Sequence, residues 1–232
     1  MLSFDDQRLT PPEGGPGQRM QVNAGVAAMR KTPAPDGTQI SQVLHGETVL
    51  LHHEEGEFGL VQCEADRYVG WVLMEALSAP ALEITHRVQA GRVHTYADPK
   101  ITAAPHFTFG VGAKLSATGE RDGRYLRFER AGWIVDHLLA EADTLEDDPI
   151  AVAKRFLGTP YLWGGRDCLG IACSGLVQIA FDACRLVCPR VRDIQHASFV
   201  PPIEGWHQTG VLPRRDLILW DGPFSLLLHA SS

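Results

Sequence analysis

The sequence predicts an α+β chain: two small antiparallel β-barrels in tandem, then an α+β domain built around a cysteine at a helix start. Three observations predict it. From Met20 the chain is a series of short Val-, Leu- and aromatic-containing runs broken by Gly, Asp and Pro, which is the pattern of antiparallel strands. A Gly-Trp pair recurs, Gly70-Trp71 and Gly132-Trp133, near the end of two comparable stretches, as two copies of one unit require. After the acidic stretch 141–148 (EADTLEDD) the spacing turns helical, and a Gly-rich loop leads to Cys173.

Residues 1–19 are rich in Pro, Gly and charge and read as a loose, flexible arm. The first barrel spans 20–80, with runs QVNAGVAAMR, SQVLHGETVLLHHEE, FGLVQCE and YVGWVLMEAL separated by turn signals. The second spans 83–140, with RVQAGRVHTYAD, FTFGVGAKLSATGE, YLRFERA and GWIVDHLLA. His45-Gly46-Glu47-Thr48-Val49 aligns with the run from Gly110 to Leu115, and Val69-Gly70-Trp71-Val72 with Ala131-Gly132-Trp133-Ile134. Gly is expected to allow a close bend and Trp to fill a small core. The third segment covers 149–232. Pro149 opens a helix well because its missing N–H would be unpaired there anyway, and PIAVAKRFLG ends at Gly158. A second helix is expected over 171–186, with Leu176, Val177, Ile179, Ala180, Ala183 and Cys184 on its apolar positions. Strand-like runs follow at 216–220 and 224–229.

Composition excludes several classes. Of 232 residues 44% are hydrophobic and 21% charged, enough apolar content for packed cores. The net charge is -7 and the 21 Lys and Arg are scattered, which argues against a nucleic-acid surface. No run reaches the length and apolarity of a membrane span, and the first residues lack the apolar core of a secretory signal. The expected location is therefore the cytoplasm. Five cysteines, Cys63, Cys168, Cys173, Cys184 and Cys188, read as free thiols rather than a disulfide frame. Cys184 and Cys188 have C-x3-C spacing, but no further ligands are placed to complete a metal site.

The stretch GTPYLWGGRDCLGIACSGLVQIAF carries the chemistry. Cys173 lies in the first turn of the second helix, where unpaired N–H groups and the positive end of the helix dipole favour a thiolate. The same N–H groups suit an oxyanion formed by attack on a carbonyl. From position alone, a buried apolar thiol remains the competing reading.

GTPYLWGG, then GI-x-CSGLVQ, then CPR-x3-IQ resembles the NlpC-type cell-wall peptidase family, densely over 150–195 and more weakly to the end. The two barrels resemble bacterial SH3-like domains. The resemblance implies a papain-like α+β domain, C-terminally shortened, and no cofactor. It implies hydrolysis of peptidoglycan stem peptides of the γ-D-glutamyl-diamino-acid type, with peptidoglycan-derived muropeptides as partners. Cys173 is then the nucleophile, Tyr161 lines the site near the oxyanion, Ser174 follows the nucleophile in the substrate site, and Tyr68 of the first barrel closes the pocket. Barrel packing is the alternative for Tyr68.

Three departures from the family pattern bear on turnover. Ala172 stands where relatives carry an Asp that helps hold the free amino end of the substrate. Pro189-Arg190-Val191-Arg192 replaces a Pro-Arg-Asp-Ser run. Pro223, after Trp220-Asp221-Gly222, stands where the catalytic histidine is expected. His229 is the nearest candidate base. Either it is the orienting residue of the family's Leu-His-Ala run, or it lies on a continuing strand about 20 Å past Pro223. His196 and His207 are loop alternatives. An active hydrolase, a pseudoenzyme that only binds muropeptides, and a remnant without a ligand are the readings left open.

Overall fold

The computed structural model describes residues 6–11, 15–199, 217–218 and 227–228. The first unit is one antiparallel sheet of β1 (Gln18–Val22), β2 (Val26–Arg30), β3 (Gln39–Leu44), β4 (Thr48–Glu55), β5 (Phe58–Cys63), β6 (Val69–Leu73) and β7 (Leu77–Ser78), ordered β3-β2-β6-β5-β4-β1-β7. Alternate residues point inward, as the two-residue period of a strand demands, so Val43, Val49, Val61 and Val72 are fully buried and share one core with Met29. Leu9, from the segment expected to be a loose arm, is buried in that same core.

The second unit repeats the plan. Its strands are β8 (His86–Val88), β9 (Arg92–Tyr96), β10 (Pro105–Gly110), β11 (Lys114–Leu115), β12 (Ala117–Asp122), β13 (Tyr125–Phe128), β14 (Gly132–Val135) and β15 (Leu139–Glu141). They order as β10-β9-β14-β13-β12 and β11-β8-β15, which is the first unit's order with the long fourth strand broken in two. In both units the Gly-Trp strand runs into a short 3-10 turn, Met74–Ala76 or Asp136–Leu138, and then a short closing strand. Phe109, Phe128 and Ile134 fill the second core.

The tryptophans do not do what the sequence suggested. Trp71 and Trp133 are only half-buried, because the strand period turns Val72 and Ile134 inward and the indoles outward. Trp71 meets His53 edge-on, and Arg127 lies over the Trp133 ring. The glycine expectation holds: Gly132 has φ +86, and a Cβ there would sit 2.6 Å from the Tyr96 carbonyl oxygen.

The two units meet through His45. Its ring is stacked on Phe109, with centroids 4.7 Å apart, and the Lys114 N–H donates to the His45 carbonyl at 2.8 Å. Onto this base pack α1 (Pro149–Lys154) and α2 (Cys173–Ala183). Asp148 caps α1 by accepting from the Ile150 N–H, with Pro149 in the first turn as expected. The second helix is shorter than the 171–186 its apolar spacing suggested, since residues 170–171 belong to a tight hairpin, β16 (Arg166–Asp167) with β17 (Gly170–Ile171). A third core joins Val152, Phe156, Ile179 and Ala180 to Leu44 of the first unit and Val111 of the second. A further helix, α3 (Arg192–Ser198), follows. Leu217–Ile218 pairs antiparallel with Leu227–Leu228, within the two runs expected to be strands. No described helix is long and apolar enough to cross a membrane.

Candidate active site

Cys173 owes its position to a loop folded tightly back on itself. Ala172 N–H donates to the Gly165 carbonyl (3.0 Å), Ile171 N–H to that of Pro160 (3.1 Å), and Leu162 N–H to that of Ile171 (3.2 Å). A Cβ on Gly175 would lie 2.2 Å from the Gly165 oxygen, so the first turn of α2 can approach the loop only because residue 175 has no side chain. Ala172 is the extended N-cap residue and supplies no capping side chain. The first Nα–H to bond back along the helix is that of Leu176, to the Ala172 carbonyl at 2.9 Å. The amides preceding it have no acceptor within the helix.

The Cys173 thiol is half-buried and opens on a cleft of about 440 Å³. Tyr68, Tyr161, Ser174, Ala172 and Arg190 share its lining. Tyr161 is half-exposed on the rim; burial, and then the neighbouring Cys173 when charged, raise its phenol above the ordinary value, with Arg190 opposing. Tyr68 is buried, and burial raises its phenol as well. Both hydroxyls therefore stay protonated at neutral pH. Ser174 is buried, with its hydroxyl accepting from Arg190 Nη1 at 3.0 Å. A larger surface depression, about 580 Å³, lies on the second unit beside Arg127 and Arg130, and no cysteine, serine or tyrosine lines it.

Cys173, Tyr68, Tyr161 and Ser174 thus meet in one place. His229 lies outside the described residues, as do Pro223 and His207. His196 sits exposed on α3 and does not line the cleft. Among the described residues no histidine lines it, and no group of three or more His, Cys, Asp and Glu is placed to hold a metal ion.

Sequence reasoning missed the ionic frame beneath the loop. Arg166 grips Glu47 with two 2.9 Å contacts, Nη1 to Oε2 and Nη2 to Oε1, and both side chains are buried. Its amide and Nη1 also donate to Gln42, at 2.7 and 2.9 Å. Burial works to raise the Glu47 carboxyl, but the Arg166 charge and hydrogen bonds prevail and hold it below its ordinary value. Arg8, from the N-terminal segment, reaches the cleft and bonds Asp193 Oδ2 at 2.7 Å. Gln195, wholly buried, donates to the carbonyls of Ser174 and Pro189. The only signal of this frame in the sequence was the presence of Arg166 and Arg190 inside otherwise recognisable motifs.

A small β-unit thus packs against a helix that begins at Cys173, with a cleft where they meet. Residues 29–77 match the family described as the bacterial dipeptidyl-peptidase Sh3 domain. A solved NlpC/P60 family protein from Bacillus cereus superimposes with a TM-score of 0.72 over 90% of this chain and 86% of that one, at 19% identity. An NlpC/P60 endopeptidase from Photobacterium damselae subsp. piscicida gives a TM-score of 0.53 over 76% of this chain and 45% of that one, at 16% identity. Dipeptidyl-peptidase 6 of Lysinibacillus sphaericus is 27% identical over 124 residues. That match spans 51% of this chain and under half, 42%, of the curated relative. The chain therefore resembles NlpC/P60 proteins that carry a bacterial SH3-like domain, and it shares their fold.

Proposed function

We propose that the chain is a cysteine peptidase of peptidoglycan stem peptides, acting at the γ-D-glutamyl-diamino-acid bond. One observation carries the reading: the half-exposed Cys173 thiol stands at the start of α2, over a cleft shared with Tyr161 and Tyr68. In this reading the thiolate attacks the γ-glutamyl carbonyl, and the first-turn amides of α2 stabilise the oxyanion with the Tyr161 hydroxyl. His229 takes the proton from the thiol and returns it to the leaving amine; water then hydrolyses the thioester. The fold assignment that accompanies it is two SH3-like barrels, 20–80 and 83–140, after an N-terminal arm (1–19), and a papain-like α+β domain from 149 to 232. The substrates are muropeptides processed in the cytoplasm.

A second reading is a pseudoenzyme that binds these peptides without cleaving them. It is favoured by the absence of a histidine from the described cleft lining and by Pro223 at the expected base position. One experiment separates the two. L-Ala-γ-D-Glu-diamino-acid peptide is incubated with the wild-type chain, Cys173→Ala and His229→Ala, and release of the diamino acid is followed by mass spectrometry. Hydrolysis by wild type alone supports the peptidase. Equal background release from wild type and Cys173→Ala rejects it, and peptide binding without release leaves the pseudoenzyme.

A further inference from the structure

We infer that the cleft beside Cys173 selects a ligand whose end at the Ala172–Arg190 wall is anionic, a carboxylate rather than a free ammonium. The inference rests on the peptide-binding reading above and adds the charge of the group the cleft takes.

The charges lining the cleft are Arg8, Arg190, Arg192 and Asp193, three cations to one anion. Arg8 is committed to carboxylates, Asp6 at 2.5 Å and Asp193 at 2.7 Å. Arg190 is different. Its side chain is 2% exposed, yet its bonds run to neutral oxygens: Nε to Ser41 Oγ (2.6 Å), Nη1 to Ser174 Oγ (3.0 Å) and Nη2 to the Gly164 carbonyl (2.7 Å). Among the described residues it forms no ion pair. The carboxylate whose charge acts on it, Asp66, already accepts from Gln178 Nε2 at 2.6 Å and from the Tyr68 N–H at 2.9 Å.

Burial, and then the like charge of Arg166, lower the Arg190 guanidinium to about 10, so it remains charged at neutral pH. A buried cation in a cage of neutral dipoles is poorly screened, and its field extends into the adjoining cleft. Ala172 presents only a methyl group there, with nothing to accept the hydrogens of an ammonium. An ammonium at this wall meets the repulsion of Arg190 and finds no acceptor on the Ala172 side chain, whereas a carboxylate meets attraction and the protonated hydroxyls of Tyr68 and Tyr161 as donors. Three features thus point the same way: the missing acceptor at Ala172, the buried cation at Arg190 and the phenol donors of Tyr68 and Tyr161.

The test uses the full chain carrying Cys173→Ala, so that nothing is turned over, and isothermal titration with three forms of L-Ala-γ-D-Glu-diamino-acid peptide. One has a free α-amine, one is N-acetylated and one is N-succinylated, which places a carboxylate at that end. The expected result is binding of the succinyl form about tenfold or more tighter than either other form at low ionic strength, with the advantage shrinking as salt is added. Adding Ala172→Asp should move the preference to the free amine. Free-amine binding as tight as succinyl binding overturns the charge assignment and leaves the peptide reading standing, and so does equal binding of acetyl and succinyl forms. No binding by any form overturns both.

Discussion

Replacing Glu47 by Gln isolates the contribution of the Arg166–Glu47 pair with little change in volume. The pair joins the turn after β3 in the first unit to the hairpin that leads into Cys173, with side chains 6% and 10% exposed for Arg166 and Glu47. Arg166 Nε is already buried without a hydrogen-bond partner among the described residues, so the guanidinium depends on Glu47 for its compensation. Removing one member of a buried pair costs about 3–5 kcal/mol, because the remaining charge stays in low dielectric. For a chain of this size that corresponds to a fall of about 6–20 °C in Tm. The assay is urea denaturation and differential scanning calorimetry of wild type, Glu47→Gln, and the pair Glu47→Met with Arg166→Met. The apolar pair should recover to within about 2 kcal/mol of wild type, since such replacements are often neutral. A Glu47→Gln protein within about 1 kcal/mol of wild type would refute the reasoning, and so would a Met pair as damaged as the single variant. The acid limb provides a second check. Because the Glu47 carboxyl is held low in the folded state, its contribution is present above the unfolded value of about 4.3 and is lost as pH falls through the folded one. Wild type should therefore lose stability more steeply than Glu47→Gln below about pH 4.

Three further outcomes are expected. His45 is held below its ordinary value by burial, although its contacts with the Asn23 and Ala24 carbonyls oppose this and Arg130 assists it; the folded state resists protonation, so stability is full above about pH 6.5 and declines as pH falls below it. Denaturation midpoints from pH 7 to 5 should drop more for wild type than for His45→Gln, and parallel curves would contradict this. Gly175→Ala places a Cβ 2.2 Å from the Gly165 oxygen and should cost about 1–3 kcal/mol or more in stability, read as a lowered urea midpoint; a neutral result would mean that the loop yields freely. Native iodoacetamide labelling at pH 8 should modify Cys173 and Cys184, which are half-buried, and spare Cys63, Cys168 and Cys188. Burial pushes Cys188 up to about 12 and raises Cys63 and Cys168 as well, so peptide mapping that finds Cys188 modified before unfolding would count against the packing described.

Much of the fold was legible because it is written in local periodicity. The alternation in the strands, the repeated Gly-Trp run and Pro149 behind Asp148 each act over a few residues, and each produced the element it signalled. The tryptophans show where local reading fails. Gly-Trp marked the right strand in both units, but the face on which Trp71 and Trp133 lie was set by register against β5 and β13, which no local pattern reveals.

At the site, Cys173 and the glycines of its loop could be read from the sequence because a helix start after a tight turn is a local matter. Tyr68 came into the same cleft from more than a hundred positions away, and Arg8 from farther still. Those placements, the Arg166–Glu47 pair across the unit junction and the neutral cage around Arg190 arise only when three cores pack together. A residue's spacing along the chain can state what chemistry it is able to do. Whether a buried arginine finds a carboxylate or three neutral oxygens is decided by which distant groups the fold brings within 3 Å, and that decides the charge the cleft presents.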